Sequence, residues 1–311
     1  MIGYGEIVMY LRKILGTRGT KIIRNIAGNL FPPLGLVPKP GELGKDECVS
    51  AFVRVKDEEA WLEPSLLSIQ DLVQEYIVID SSQYDNSPKI IEYLKENGLN
   101  IMHIIDHDPD PVQAWNRGLK YVRCKWILRW DPDFIAKEEL TPYLKSLIKK
   151  LDSEKYYNIY WPHICLDLDL YHQLPGIVLH KEHWLVTYSR GVRFIHMKGF
   201  YGFMYTPLYH IRVDIDKPLS FHLRTVKPPI RLLYRKYHKE LAKKQLLGKV
   251  DLEEYVKKRI REEYGVSDIE EAANIYFKEL MKHARIYDKS KYGDYPKILK
   301  EYAWRKYGIK L

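Results

Sequence analysis

Two carboxylates one residue apart, Asp131 and Asp133, follow the short run Lys125-Trp126-Ile127-Leu128-Arg129-Trp130. The run reads as a β-strand. Alternate residues on a strand and its exit point the same way, so the two carboxylates can converge on one point. Two hard oxygen donors at the carboxyl end of a strand suit Mg²⁺ or Mn²⁺, ions that commonly bring phosphate with them. Asp-Pro-Asp is also ordinary turn chemistry, so the pair gains meaning only from its surroundings. A third acid, Asp80, closes another apolar run, Tyr76–Ile79.

The elements that must position these acids alternate. Cys48–Val55 is a mostly apolar run, and Asp57–Gln70 reads as a helix carrying Ala60, Trp61, Leu66, Leu67 and Ile69. Tyr76–Ile79 is a short buried strand. Ser87–Asn97 is helical by the spacing of Ile90, Ile91 and Leu94, and Gly98 stops it. Asn100–Ile105 makes the next strand, Val112–Val122 a helix, and Trp126–Trp130 the strand that ends at Asp131. Strand–helix units with nearly continuous apolar strands argue for a parallel sheet covered on both faces. Ligands bind beyond the carboxyl ends of such strands, where Asp80 and Asp131 both sit.

The flanks differ in character. Residues 1–45 hold seven Lys/Arg against two acids, residues 46–227 hold 22 against 26, and residues 228–311 hold 21 against 13. A slightly acidic centre between two basic arms suits a metal-using core with an anionic partner at its edges. Helical spacing at Ile7, Val8, Leu11, Ile14 and Leu15 precedes a break at Gly16–Gly19. Thr20 is then placed to cap a second helix with Ile22, Ile23, Ile26 and Leu30 on one face. This arm either packs on the protein's own body or lies on a membrane, with Arg12, Lys13, Lys21 and Arg24 meeting acidic lipids. Phe31–Leu43, rich in Pro and Gly, reads as a linker. Residues 156–227 read as a mixed sheet with loops. Ile230–Leu246, Leu252–Tyr264, Ile269–Ile286 and Tyr295–Trp304 read as basic amphipathic helices broken near Gly248, Gly265 and Gly293. No apolar run reaches the roughly 18 residues of a membrane span, and no secretory signal is evident. Cys48, Cys124 and Cys165 are widely spaced and read as unpaired, buried small residues of a reducing, cytoplasmic protein.

Four segments in order resemble glycosyltransferases of family 2. Val49-Ser50-Ala51-Phe52-Val53-Arg54-Val55-Lys56-Asp57-Glu58-Glu59 is similar to their opening strand and Asn-Glu-Glu turn. Ile77-Val78-Ile79-Asp80-Ser81-Ser82-Gln83-Tyr84-Asp85-Asn86-Ser87 looks like their second strand, V-V-D-x-G-S-x-D-x-T. Ala114-Trp115-Asn116-Arg117-Gly118 resembles their A-R-N-x-G helix, and Asp131-Pro132-Asp133 their D-x-D. The resemblance covers roughly residues 48–140. It implies a GT-A (Rossmann-like) α/β fold: a mixed, mostly parallel sheet with helices on both faces, here at 46–227. An amphipathic arm and linker at 1–45 and a basic helical extension at 228–311 flank it.

The same resemblance implies transfer of a sugar from a UDP- or GDP-linked donor to a lipid, glycan or small-molecule acceptor. Asp131 and Asp133 would hold Mn²⁺ or Mg²⁺, with the late His222 as a further ligand. Arg54, Lys56, Glu58, Asp80 and Asp131 would line the nucleotide-sugar site, while Asp85 and Asn116 hold the turn and helix. The general base is expected at Glu182 or Asp169, chosen from Asp167, Asp169, Glu182, Asp214 and Asp216, because the family's Glu-Asp pair is missing. Arg224 and Lys227 are placed to steady the diphosphate, and Tyr201, Phe203, Tyr205 and Tyr209 to stack on sugars or fill the core. Ser82, Gln83 and Trp115 depart from the family's Gly, Ser and Arg, which opens the identity of the base. A sugar-phosphate nucleotidyltransferase is disfavoured because residues 54–59 lack a Gly-rich basic loop. A silent module binding membrane or nucleic acid through the flanks is the other alternative, though the tail lacks nucleic-acid motifs.

Overall fold

The computed structural model describes residues 4–311 except Pro109, Ile177, Lys198, Gly199, Gln245, Leu247 and Gly248; of residues 4–13, 197, 200 and 201 it describes the backbone alone. The expected contacts of Ile7, Val8, Leu11, Arg12, Lys13 and Tyr201 and the break at Gly248 lie outside the described residues. Two compact units divide the chain. Met1–His163, Lys181–Ser220 and Pro296–Lys310 form the first, and Ile164–His180 with Phe221–Tyr295 the second.

Helix α1 (Tyr4–Leu30) bends at Gly16, whose φ of 64° lies in the left-handed region that glycine enters freely. The expected break is therefore real, but Thr20 does not cap a new helix; its Oγ1 donates to the Gly16 carbonyl instead, at 2.8 Å. Strands β1 (Asp46–Val55), β2 (Glu75–Asp80), β3 (Ile101–Ile105) and β4 (Cys124–Trp130) alternate with α2 (Leu62–Leu67), α3 (Ser87–Glu96) and α4 (Pro111–Gly118). Short β5 (Phe134–Ala136) and α5 (Leu140–Lys150) follow. Next come β6 (Tyr156–Cys165), β7 (His172–Gln173), β8 (Leu179–Thr187), β9 (Arg193–Met197), β10 (Phe200–Tyr205), β11 (His210–Asp214) and β12 (Ser220–His222).

The main sheet runs β3-β2-β1-β4-β8-β6-β12-β5, with β11 beside β6. Neighbours from β3 to β4 are parallel, and β8 is antiparallel to β4. Alternation sends Ala51, Val53, Val55, Val78, Leu128 and Trp130 to one face, under Leu62, Leu66, Ile91, Leu94 and Leu144 of the helices. Phe52, Ile77, Ile79 and Ile127 go to the other, under Val112 and Ala114 of α4. Gly118 ends α4 where a Cβ would lie 2.3 Å from Ile79 Cδ1, so the helix can approach the sheet only with glycine there. The Asp110 carboxylate caps α4 through the Val112 N–H at 3.0 Å.

Two readings of the sequence are corrected. The helix expected from Asp57 starts only at Leu62, because Asp57 sits at a left-handed φ of 54° and its carboxylate accepts two backbone N–H groups from another loop. Cys48 and Cys124, read as unpaired, form a disulfide, with Cys165 buried outside it as a thiol. They lie 76 residues apart in sequence, but β1 and β4 are hydrogen-bonded neighbours, and their register irregularity between Asp46 and Val49 brings the two Cα atoms to 4.8 Å.

In the second unit α6 (Pro229–Lys243), α7 (Leu252–Tyr264) and α8 (Ile269–Met281) bury Leu233, Tyr237, Val256, Ile260, Ala272 and Ala273 among themselves. Asp251 and Asp268 cap α7 and α8, and Gly265 closes α7 in the left-handed region. Short β13 (Arg285–Ile286) and α9 (Lys289–Tyr292) follow, where the sequence suggested that the preceding helix continues. The last helix, α10 (Lys297–Tyr307), belongs to the first unit: the Tyr302 ring lies 5.9 Å from that of Trp61, and Arg305 pairs with Glu63. Among the described residues no helix is long and apolar enough to cross a membrane.

Candidate active site at the strand ends

Parallel register sets the site. Val55 pairs with Asp80, Asp80 with Ile105, and Val53 with Trp130, so β1, β2 and β3 end together and β4 ends two residues before them, its exit beside theirs. Beyond β4 the chain turns tightly, the Phe134 N–H donating to the Asp131 carbonyl at 3.0 Å around Pro132 and Asp133. Trp130 Nε1 donates to Ser65 Oγ at 3.0 Å, and Ser65 Oγ donates to the same Asp131 carbonyl at 3.3 Å, which fixes the strand's exit against α2. Asp133 is buried and Asp131 partly open.

The Asp131 carboxylate is held by Arg54 from the end of β1. The Arg54 guanidinium also lies over the Trp115 ring, 4.6 Å from its centroid, and 5.7 Å from that of Phe194. Arg54, expected at the nucleotide-sugar site, and Trp115, a departure from the family's Arg, thus form one stack beside the first acid of D-x-D. Lys56 is exposed just beyond.

Asp80 is buried at the end of β2. Its Oδ1 accepts the Ser82 N–H at 2.8 Å and its Oδ2 faces His103 Nε2 at 3.0 Å, while His103 Nδ1 reaches Glu92 at 2.7 Å. Burial alone would raise the Asp80 pKa, but hydrogen bonds from His103 and Ser82 outweigh it and hold the carboxyl below its ordinary value. The same bond from Asp80, with help from Glu92, raises His103. No motif flags His103; it lies on a strand the sequence marks only as apolar.

The loops after β1 and β2 are laced together. Gln83 and Tyr84 N–H groups donate to Asp57 Oδ1, both at 2.9 Å, and Asn86 donates to Glu59 Oε2. In return the Glu58 N–H donates to Ser87 Oγ at 2.9 Å and the Glu59 N–H to Asp85 Oδ2 at 3.0 Å. Asp85 therefore holds a turn, as expected. Asn116 likewise holds structure, exchanging bonds of 2.9 and 2.8 Å with the Phe194 backbone.

The candidate bases separate. Antiparallel pairing of Leu128 with Leu185 runs β8 back along β4, so Glu182 lies beside the β4 exit, where it pairs with Arg129. Arg129 lies over Trp184 at 4.4 Å. Asp214 is tied to Lys21 and Arg212, each at 2.8 Å, and Asp216 to Lys181 at 3.0 Å. In the second unit Asp167 is buried in a two-point pair with Arg224, and Asp169 accepts from the Tyr171 N–H and faces His172. His222 also belongs to that unit, its ring 5.9 Å from His180. Phe203 packs edge-on against buried His183 at 5.1 Å and Tyr209 against Tyr156, with Phe203 and Tyr209 both half-buried.

Among the described residues no group of three or more His, Cys, Asp or Glu side chains gathers in a way that could hold a metal ion. Asp131 and Asp133 remain a pair of hard oxygen donors. A pair suffices for Mg²⁺ or Mn²⁺ when phosphate oxygens and water complete the shell, so the residues fit an ion carried by a diphosphate.

Residues 50–202, just under half of the chain, match the sequence model of Glycosyl transferase family 2. No curated protein matches the chain. Among solved structures, S. aureus TarS 1-349 is similar at 12% identity and a TM-score of 0.41, over 62% of this chain and 65% of that one. This chain thus spans just under two thirds of that structure's length. The same protein in complex with UDP-GlcNAc aligns at 11% identity over 71% of this chain and 73% of that one, with a TM-score of 0.40. Glucosyl-3-phosphoglycerate synthase from Mycobacterium tuberculosis, solved with Mg²⁺ and UDP, aligns at 21% identity over 39% of this chain and 47% of that one, with a TM-score of 0.28.

Proposed function

We propose that this protein transfers a glycosyl group from a UDP- or GDP-linked sugar to a hydroxyl of a lipid, glycan or small-molecule acceptor. The observation that carries the reading is the Arg54–Asp131 pair at the end of β4, with Glu182 held by Arg129 of that strand, in a chain whose residues 50–202 match the family 2 model. Asp131 and Asp133 would hold a divalent ion, which would supply Lewis-acid stabilisation to the departing diphosphate. Arg54 is placed to pair with a phosphate oxygen of the donor, since a guanidinium matches phosphate as well as carboxylate. Asp80 and the laced loops at 57–59 and 82–87 shape the side on which the base and ribose would lie. Lys56 and Glu58 border it.

In the transfer the acceptor oxygen bonds to the anomeric carbon, the bond from that carbon to the diphosphate breaks, and the acceptor proton passes to a carboxylate. Glu182 is our choice for that carboxylate, with Asp169 as the alternative. Contact with a membrane surface through the basic flanks is part of this reading. The test is release of UDP or GDP from its sugar conjugate with Mn²⁺ or Mg²⁺, compared with chelator. Metal-dependent release that Asp131→Ala abolishes supports the assignment. Absence of release from both nucleotide classes turns it toward a silent binding module.

A further inference from the structure

Helix α1 packs inside out. Its inward face buries Thr20, Arg24, Ala27 and Gly28. Arg24 donates to the carbonyls of Pro207 at 2.7 Å and Thr206 at 3.0 Å, and Gly28 sits where a Cβ would lie 2.3 Å from Ile211. Lys21 is spent on Asp214 at 2.8 Å. These are cations the sequence offered to lipid, and the fold uses them to hold the helix down. The outward row is Ile14, Arg18, Ile22, Ile26 and Leu30, continued past the helix by Leu34 and Leu36. Ile22, Ile26 and Leu34 are 59%, 55% and 66% exposed. Leu36 lines, with Phe31, Tyr205, Pro207 and Tyr209, a cavity of about 410 Å³ that has Arg193 at its side.

Six large aliphatic side chains in one exposed row are far more than scattered surface residues. The charge around them narrows what covers them. From Ile7 to Gly41 the chain has no acid; of the cations there, Lys21 and Arg24 are turned inward and Lys39 pairs with Glu154, while Arg18 stands exposed within the aliphatic row. Pairing this face with a second copy across a two-fold axis would set one acid-free, cationic strip against another. An anionic lipid surface answers both properties at once, taking the aliphatic row into its interface and the cation within the row at its headgroups. The helix cannot cross, because its other face is committed to the protein.

We propose that the Ile14–Leu36 face of α1 and the turn after it docks the protein on an anionic bilayer, with the cavity beside Leu36 admitting part of a lipid chain. This deepens the membrane contact put forward above and rests on it; donor binding at β4 stands apart. The experiment is co-sedimentation of the full chain with vesicles of phosphatidylcholine alone or with phosphatidylglycerol, for wild type, Ile22→Ser/Ile26→Ser and Leu34→Ser. Binding to the anionic vesicles that falls about tenfold or more in the double variant and weakens with salt is the expected result. Leu34→Ser, beyond the helix, is expected to weaken binding without any change in melting temperature. The proposal is overturned by no binding to anionic vesicles, by equal binding of the variants, or by a wild-type dimer in sedimentation velocity that the double variant dissolves. UDP- and GDP-sugar binding measured on the same samples shows whether a failure belongs to this face or to the donor site.

Discussion

Arg54, one residue from the end of β1, forms an ion pair with Asp131, the first residue beyond β4, while its guanidinium stacks on Trp115 of α4. One cation thus ties three elements at the place where a sugar diphosphate is expected. The family motif has its arginine on the helix, where this chain has Trp115; here the arginine comes from the strand and the helix supplies its platform. Without donor, Arg54 neutralises the carboxylate that a metal ion would need.

Arg54→Ala is therefore expected to separate two affinities. With its competitor gone, Asp131 should bind free Mn²⁺ more tightly, by up to about tenfold for a partly buried pair. Donor affinity should fall, because the phosphate loses a cationic partner. Titration of Mn²⁺ alone, then of nucleotide sugar at saturating Mn²⁺, reads both. Unchanged Mn²⁺ affinity would show that Arg54 does not compete for Asp131.

Asp80 and His103 predict a pH dependence of stability. Hydrogen bonding to Asp80 and Glu92 raises His103 above its ordinary 6.5. Its contribution is complete below 6.5 and is lost as pH rises through the raised value. Asp80, held below its ordinary 3.8 despite burial, contributes above 3.8 and loses that contribution as pH falls through the depressed value. The melting-temperature gap between wild type and His103→Gln should be widest between those two ordinary values and narrow toward alkaline pH. A gap that widens above neutrality would contradict the pairing.

The Cys48–Cys124 disulfide closes a loop with a sequence separation of 76 residues. Chain-entropy reasoning gives it about 4.5 kcal/mol of stabilisation, an upper figure because native strain and residual structure reduce it. Denatured but unreduced protein should show one reactive thiol, Cys165, and reduced protein three. Reduction should also lower the denaturant midpoint. Three thiols before reduction would remove the bridge.

Glu182→Gln should leave donor affinity near wild type and lower kcat by about 10²–10⁴-fold, the usual contribution of a positioned base. Asp169→Asn serves as the contrast. Loss of rate in Asp169→Asn with Glu182→Gln fully active would move the base to the second unit.

Much of the sheet was legible because β2 and β4 are buried on both faces, and β3, though half-open, carries Ile101, Met102, Ile104 and Ile105, so all three read as short apolar runs. Tyr76–Ile79, Asn100–Ile105 and Trp126–Trp130 fall inside or within one residue of β2, β3 and β4. What sequence could not carry was anything set by register or by packing between distant elements. The disulfide needs β1 beside β4, and the Asp80–His103 bond needs β2 beside β3. The shortened α2 follows from carboxylates that bond across loops rather than along a helix. Most telling is α1: its period was read correctly, yet periodicity cannot say which face turns inward. There the buried hydrogen bonds of Arg24 outrank the aliphatic row.

The central claim is a donor site at Asp131 and Asp133. Calorimetric titration of UDP- and GDP-sugars with Mn²⁺, on wild type and Asp131→Ala/Asp133→Ala, tests it most directly. Saturable, metal-dependent binding of one nucleotide class, lost at least about tenfold in the double variant, is the predicted result. Wild-type binding that survives both substitutions, or no binding of either class, would contradict it.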